Sequence, residues 1–416
     1  MDWRNRIGLY GSYFLGMAGI GFTLPFLPLY LGEQGLSDRA IGIVSTLAAL
    51  AGLTQFPVGV WSDHVGRRKP FLIVALAVLA AATLVLPMVH GVVALGLVVA
   101  LFAENGLCRA TVESLTGAEA THLAPPGAVG KALGALRFWK PVSVILVAFG
   151  GGLFAEAFGV GAILWPLAVL QILAVAAAFL IHGDRGPALP ARAARAVADA
   201  PVARGFRDPV LWIFVTAMVL FHVANAPGGV YLGLYLKRNF EAPERYLSYA
   251  FVISMVSWML AIRWVGGMAD RYGRKPFLVL GWTMMSVRLL LVALAESAQQ
   301  ILVIQVLDGL AQSLFAVAAA AWVTDRLADP RRVGEAQVLV GSALVFGSAL
   351  GPLLSGMVVE ELGYAGTFGL LAGIGALATA LVVVFIPETV TGHAANHNPS
   401  EVAFGSSLAS QEEVLP

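Results

Sequence analysis

Long apolar runs, separated by short breaks of glycine, proline and charge, recur along the whole chain. Many reach the 18 or more residues that read as membrane-spanning helices. Setting runs against breaks predicts twelve spans. Six lie near 7–31, 40–61, 70–90, 92–118, 131–153 and 160–182, and six near 209–236, 246–265, 276–295, 299–323, 335–358 and 364–386. Residues 183–208, rich in Pro, Ala and Arg, form the one long internal break. The expected organisation is an N-terminal six-helix bundle (1–182), a cytoplasmic linker (183–208), a C-terminal six-helix bundle (209–387) and a polar tail (388–416). The first apolar segment is too long for a signal-peptide core and no small-residue cleavage site follows it, so it is read as a helix.

Composition agrees with a polytopic membrane protein. Hydrophobic residues make up 58% of 416 and charged residues 12%, against about a quarter charged in globular domains. The net charge of +1 argues against a general nucleic-acid binder, which needs a basic excess to meet phosphates. A single cysteine, Cys108, excludes an intrachain disulfide. Lys and Arg are unevenly placed: 17 of the 26 fall on the side that holds both predicted termini, and four on the other. The positive-inside bias makes the first side cytoplasmic.

One of those cytoplasmic loops, "GVWSDHVGRRKPF" at 59–71, occurs again as "GGMADRYGRKPF" at 266–277. Asp270 lies 207 residues after Asp63, and Gly273 lies 207 after Gly66. Each copy joins the second and third span of its half, as in a transporter built from two repeats. The glycines allow a tight turn. Asp63, near the cytoplasmic end of its helix, is placed to accept hydrogen bonds from an arginine or a helix N-terminus.

The repeated pattern resembles the loop signature of the major facilitator superfamily. Gly59, Asp63, Gly66, Arg67, Arg68 and Lys69 match it in the first copy, and Gly266, Asp270, Gly273, Arg274 and Lys275 in the second. "RATVESLTG" around Arg109 resembles the family's intramembrane arginine motif, and "FIPET" its common end to the twelfth helix. The resemblance implies two pseudo-symmetric six-helix bundles, both termini cytoplasmic, and loop contacts that latch the halves in the outward-facing state. "PFLPLYLGEQGLSDRAIGIVSTLAALAGLTQFPVGVWSDHVGRRK", "GALRFWKP" and "TMMSVRLLLVAL" are similar to the lactose permease and phenylpropionate permease branch of proton symporters.

Ionisable residues inside spans cost about 2.5–3.5 kcal/mol each, so they normally pair or line a watery path. In the fourth span Asn105, Arg109 and Glu113 share one face at i, i+4, i+8, with Glu104 beside them. In the fifth, Arg137 and Lys140 share a face. Depth counted from the cytoplasmic ends allows a Glu113–Arg137 bridge, which serves equally to pair helices. The resemblance assigns substrate contact to Glu113 and Arg137. Arg109, Lys140, Asn105, His222 and Asn225 complete the expected binding set, although His222 serves equally well in helix packing. Arg288 and Asp308 lie at matching depth, and a carboxylate beside an arginine at low dielectric suits proton coupling; Glu104 is the third coupling candidate. The branch has a histidine where Asp308 stands, aspartates at His222 and Asn225, and a glutamate near Met255, which argues against lactose. Four inner cations (Arg109, Arg137, Lys140, Arg288) against three acids (Glu104, Glu113, Asp308) hint at an anionic substrate.

Glycines at 150–152 and the Pro25/Pro28 pair suit helix ends that move, and "GSALGPLLSG" at 347–356 suits close helix packing. Helix 5 has Lys140-Pro141 in place of the full glycine–proline motif of drug/proton antiporters. Motifs of metalloproteases, serine hydrolases and phosphate loops are absent. The expectation is a monomeric, all-α secondary transporter in the cytoplasmic membrane, no enzyme, with no metal, no cofactor and no nucleic-acid partner. It moves a small anionic or sugar-like organic solute across the lipid bilayer by alternating access, coupled to protons as a symporter. The alternatives are proton-coupled efflux of a drug, siderophore or metabolite, and a non-transporting receptor or scaffold.

Overall fold

A computed structural model describes residues 3–104, 106–123, 129–182, 208–327 and 333–389, and every regular element among them is helical. Ten helices are long and apolar enough to cross a membrane, or eleven when the bent pair Trp3–Thr23 and Leu27–Glu33 counts as one. The longest, Val333–Phe385, has 53 residues and turns at Gly363, with φ 66° and ψ 178°. Straight, it would run about 80 Å, against a hydrocarbon core of about 30 Å. Divided at Gly363 it supplies two segments, which brings the candidate spans among the described residues to twelve.

Numbered along the chain, span 1 is Trp3–Thr23 with Leu27–Glu33, and span 2 is Asp38–Ala51 with Gln55–Val65. Span 3 is Lys69–Val85, span 4 is Val92–Phe102 with Leu107–His122, span 5 is Val129–Phe158 and span 6 is Leu164–Phe179. Span 7 is Pro209–Asn225 with Pro227–Phe240, span 8 is Glu244–Tyr272, span 9 is Arg274–Ala293 and span 10 is Ala298–Leu327. Spans 11 and 12 lie before and after Gly363. Large apolar side chains such as Leu260, Trp264 and Val303 stay 61–72% exposed on the outside. Only a hydrocarbon solvent makes such a surface stable.

Sequence reading placed the spans but missed their breaks. Span 1 bends by 53° where Pro25 cannot donate the next backbone hydrogen bond, and span 7 is interrupted just before Pro227. Span 4 is broken between Phe102 and Leu107. The glycines at 150–152, expected at a helix end, lie inside the continuous helix Val129–Phe158. There Gly152 meets Ser248 of span 8, whose hydroxyl donates to Ala148 O at 2.7 Å. Residues 183–207 of the expected linker and 390–416 of the tail lie outside the described residues.

The two sets of six helices touch mainly where span 2 packs on span 11 and span 5 on span 8. These contacts gather toward the end carrying the 1–2 and 7–8 loops. Asp38 pairs with Arg238 at 2.8 Å, and the Tyr364 hydroxyl donates to Asp38 at 3.0 Å. The Tyr231 hydroxyl lies 3.0 Å from Asp38 O and 3.1 Å from Pro352 O, and Glu156 pairs with Arg245 at 2.6 Å. Glycine makes the approach possible: a Cβ on Gly42 would lie 2.5 Å from Pro352 O and 2.7 Å from the Tyr231 hydroxyl.

At the opposite end the described bonds of Lys69, Arg274 and Lys275 stay within their own halves. Gly66 and Gly273 turn at φ +67° and +101°. Lys69 Nζ donates to Phe179 O and Ile181 O at 3.0 and 2.7 Å, capping span 6, and Lys275 Nζ donates to Val383 O at 2.9 Å, near the end of span 12. Arg274 pairs with Asp270 and with Asp325, and Glu388 of the "FIPET" segment accepts the backbone N–H groups of Arg274 and Lys275. Arg67 is exposed, whereas the side chains of Asp63 and Gly266 lie outside the described part. Asp208 caps span 7 through Val210 N and pairs with Arg326 at 2.6 Å. The Arg326 hydrogen bond holds its carboxyl below the ordinary carboxylate range. That stabilisation is complete above the unfolded value of about pH 4 and fades as pH falls through the lowered folded value.

Gly42→Leu is expected to force the closed end apart. With spin labels on Arg39→Cys and Glu361→Cys in a Cys108→Ala background, the distance distribution should lengthen. An unchanged distribution would show that the glycine contact does not hold this end.

Candidate functional site

A cavity of about 710 Å³ lies between the halves, a volume suited to a small organic molecule. Most of its lining is apolar, from residues such as Leu24, Leu27, Val144, Phe251 and Trp258. Polar groups gather on two facing walls.

On the first wall Glu113 of span 4 and Lys140 of span 5 form an ion pair at 2.9 Å. This corrects the expected Glu113–Arg137 bridge. Side chains on a helix lean toward its N-terminus, and spans 4 and 5 run antiparallel. Glu113 therefore leans deeper into the bundle while both span 5 cations lean the other way. Lys140, one turn deeper, meets it. Arg137 stays exposed to the cavity, and among the described residues no carboxylate lies within ion-pair distance of it. Pro141 also leaves the Arg137 carbonyl without its helical N–H partner. Glu104 lines the cavity from the break in span 4, and Tyr13 from span 1.

The second wall comes from spans 7 to 10. Arg288 is 2% exposed and donates from Nη2 to Gln305 Oε1 at 2.9 Å. Its Nη1 is 3.7 Å from Asp308 Oδ1, beyond hydrogen-bond reach, while Ser254 donates to the other Asp308 oxygen. Asn225 lines the cavity at the break in span 7. Gln305, Asp308 and Gln312 follow at i, i+3 and i+7 and so share one face. That spacing is present in the sequence, but neutral amides in an apolar helix carry a weaker signal there than charges. Ser254, Trp258, Ser45 and Ser348 were likewise not anticipated.

Two expected binding residues stand behind the walls. Arg109 is 1% exposed and does not line the cavity. Its Nε donates to Phe102 O at 2.6 Å and its Nη1 to Gly16 O at 3.1 Å. Phe102 O lies at the break in span 4 and Gly16 O just before the two-residue turn Ala18-Gly19 inside span 1, well before the Pro25 bend. The guanidinium thus satisfies backbone groups that a bilayer leaves without water. The ring of Phe102 lies 5.0 Å away. His222 is buried edge-on to Phe221 and Phe315 and beside Gly347, so it packs span 7 on spans 10 and 11. Asn105 lies outside the described residues. With Arg109 removed, the lining holds three cations (Arg137, Lys140, Arg288) and three acids (Glu104, Glu113, Asp308). The positive surplus inferred from sequence is gone.

Glu113→Gln should destabilise the protein by leaving Lys140 unpaired, and Glu113→Gln with Lys140→Met should cost less than the sum of the single changes. The coupling expected for contacting residues is about 0.5–3 kcal/mol, toward the low end because the pair is partly solvated. Glu113→Gln with Arg137→Met should be additive. Thermal unfolding in detergent measures both, and coupling to Arg137 in place of Lys140 would contradict the pairing.

Comparison with known proteins puts this architecture in context. A family model described as the MFS_1 like family matches residues 7–370. An MFS-type transporter of Mycobacterium tuberculosis is 26% identical over 378 residues, covering 88% of this chain and 89% of the relative. The multi-drug resistance efflux pump PmrA of Streptococcus pneumoniae is 23% identical over 401 residues, covering 92% and 95%. Among solved structures, the nucleoside transporter NupG superposes with a TM-score of 0.78 at 17% identity, covering 92% of this chain and 99% of that one. At that identity the likeness shows the fold alone.

Proposed function

Because the chain belongs to the MFS_1 like family, whose relatives are membrane transporters and not enzymes, we propose that it carries a small organic solute across the cytoplasmic membrane by alternating access, in symport with protons. The working unit is a monomer of two six-helix bundles with both termini in the cytoplasm. The positive-inside bias supports that orientation. It makes the closed 1–2/7–8 end the outer one and the described state inward-facing. In this state the described bonds of Lys69, Arg274 and Lys275 stay within their own halves, and the expected latching belongs to the opposite state.

The observation that carries the symport reading is the loose Arg288–Asp308 pair on a cavity wall. A cation 3.7 Å away balances the Asp308 charge. Any event that draws Arg288 aside leaves the carboxylate in a poorly solvated site, where it gains from protonation. Solute and proton then load together.

A second reading is proton-coupled efflux. It is favoured by the likeness to a multi-drug efflux pump and by the mostly apolar cavity lining. In that case a cationic solute and a proton compete for the same carboxylates, Asp308 and Glu104.

Purified protein in liposomes, given a solute panel under pH gradients of both signs, separates the two. Symport predicts uptake down an inward proton gradient, and antiport the reverse. Asp308→Asn is expected to abolish solute-driven proton movement while solute exchange across the membrane persists. Unchanged proton coupling in that variant would remove Asp308 from the mechanism.

A further inference from the structure

We propose that the broken end of span 7 and Arg288 together form a subsite for an anionic group of carboxylate size on the transported solute. This rests on the reading that the cavity is the solute site.

Span 7 restarts at Pro227, and the 14-residue segment Pro227–Phe240 has no side-chain cap at its N-terminus. Gly228 and Gly229, in its first turn, line the cavity. Pro227 has no N–H and Gly229 N already donates to Ala226 O at 3.1 Å, so the Gly228 N–H is the backbone donor this turn offers an anion. Arg288 supplies the second, independent feature. It is 2% exposed, yet its Nε and Nη1 have no hydrogen-bond partner among the described residues. The guanidinium lies against the same turn of helix: a Cβ on Gly228 would be 2.9 Å from Nη1 and 3.2 Å from Nη2. Glycine at 228 is what allows that approach. Two positive features therefore meet at one point on the cavity wall, and a buried charged donor left without an acceptor is costly. A carboxylate with two acceptor oxygens answers both.

Asp308 is the internal rival for Arg288, held back by Ser254. When a solute carboxylate takes the guanidinium, Asp308 loses its counter-charge and takes a proton from water in the cavity. It returns that proton when the anion leaves on the other side. The bound load is then one anion and one proton, and the cavity's balance of three cations and three acids is restored. Arg288 and Asp308 are the charged groups on this wall; Glu104, Glu113, Arg137 and Lys140 face them across the cavity, and His222 lies behind on span 7.

A thiolate can stand in for the anion. In full-length Cys108→Ala protein in detergent, Gly228→Cys is labelled with iodoacetamide between pH 5 and 10. The introduced thiol should titrate at least one pH unit, a tenfold change in proton affinity, below the free-cysteine value of about 8.5. Arg288→Gln should reverse that shift. A thiol titrating at or above 8.5, or one indifferent to Arg288→Gln, overturns the subsite. Gly229→Cys, where a Cβ meets only Leu24 Cδ2 at 3.8 Å, serves if the first variant fails to fold. Excess benzoate should slow labelling of Gly229→Cys more than benzamide does, and equal or no protection by the two overturns the anionic ligand class. Neither readout involves transport, so failure of proton coupling in liposomes leaves this site standing, and the reverse also holds.

Discussion

A backbone carbonyl released where a helix breaks inside a bilayer has no water to turn to, and the architecture of this protein is arranged around that constraint. Spans 1, 4 and 7 are all interrupted. Arg109 answers for the break in span 4 by donating to Phe102 O, and for the turn Ala18-Gly19 within span 1 by donating to Gly16 O. At the third, Arg288 rests on Gly228 with donors to spare. Each buried arginine keeps an unpaired donor, but Arg109 stands behind the wall on backbone oxygens, whereas Arg288 lines the cavity. This difference separates a residue that shapes the cavity from one placed to bind within it.

The breaks also give the two halves a means of closing at one end while a cavity persists between them. Glycines at 42 and 152 let spans 2 and 5 approach spans 11 and 8 closely. Asp38, Arg238, Tyr364 and Tyr231 then fasten the contact with hydrogen bonds. These polar bonds and small-residue contacts sit on a buried apolar cluster shared by both halves, with Leu31 and Ile41 on one side and Leu234 and Val359 on the other. Below it the polar groups divide between two walls, each with its own charge balance. Under the proposed alternating access, a solute bridging the walls would engage both halves at once.

Much of this fold was legible from residues alone, because lipid demands long apolar runs and the loop motif at 59–71 recurs at 266–277. Helix interruptions were less so. Pro25 and Pro227 mark two of them, and the gap in span 4 is marked by the Asn105-Gly106 dipeptide, a turn signal buried in an otherwise apolar run. Pairing by depth failed at Glu113 because antiparallel helices tilt their side chains in opposite senses, which shifts contacts by a turn. Arg109 looked like a site residue since sequence shows a charge in a membrane but not the backbone oxygens that would satisfy it. Asp308 and Arg288 come close through matching depth, but the same opposed tilt leaves them 3.7 Å apart, with Arg288 bonded to Gln305 one turn away. Gln305 and Gln312 escaped notice although their spacing from Asp308 puts them on one face.

The central claim is that this single cavity opens in turn to the two sides of the membrane. Asn225→Cys in a Cys108→Ala background places a reporter on the cavity wall at the break of span 7. Labelling it with a membrane-impermeant thiol reagent, applied to either face of sealed vesicles, tests the claim most directly. The account predicts labelling from the cytoplasmic face in the resting protein, and from the outer face once Asp38→Asn and Arg238→Gln release the closed end. Labelling from one and the same face in both proteins would contradict it.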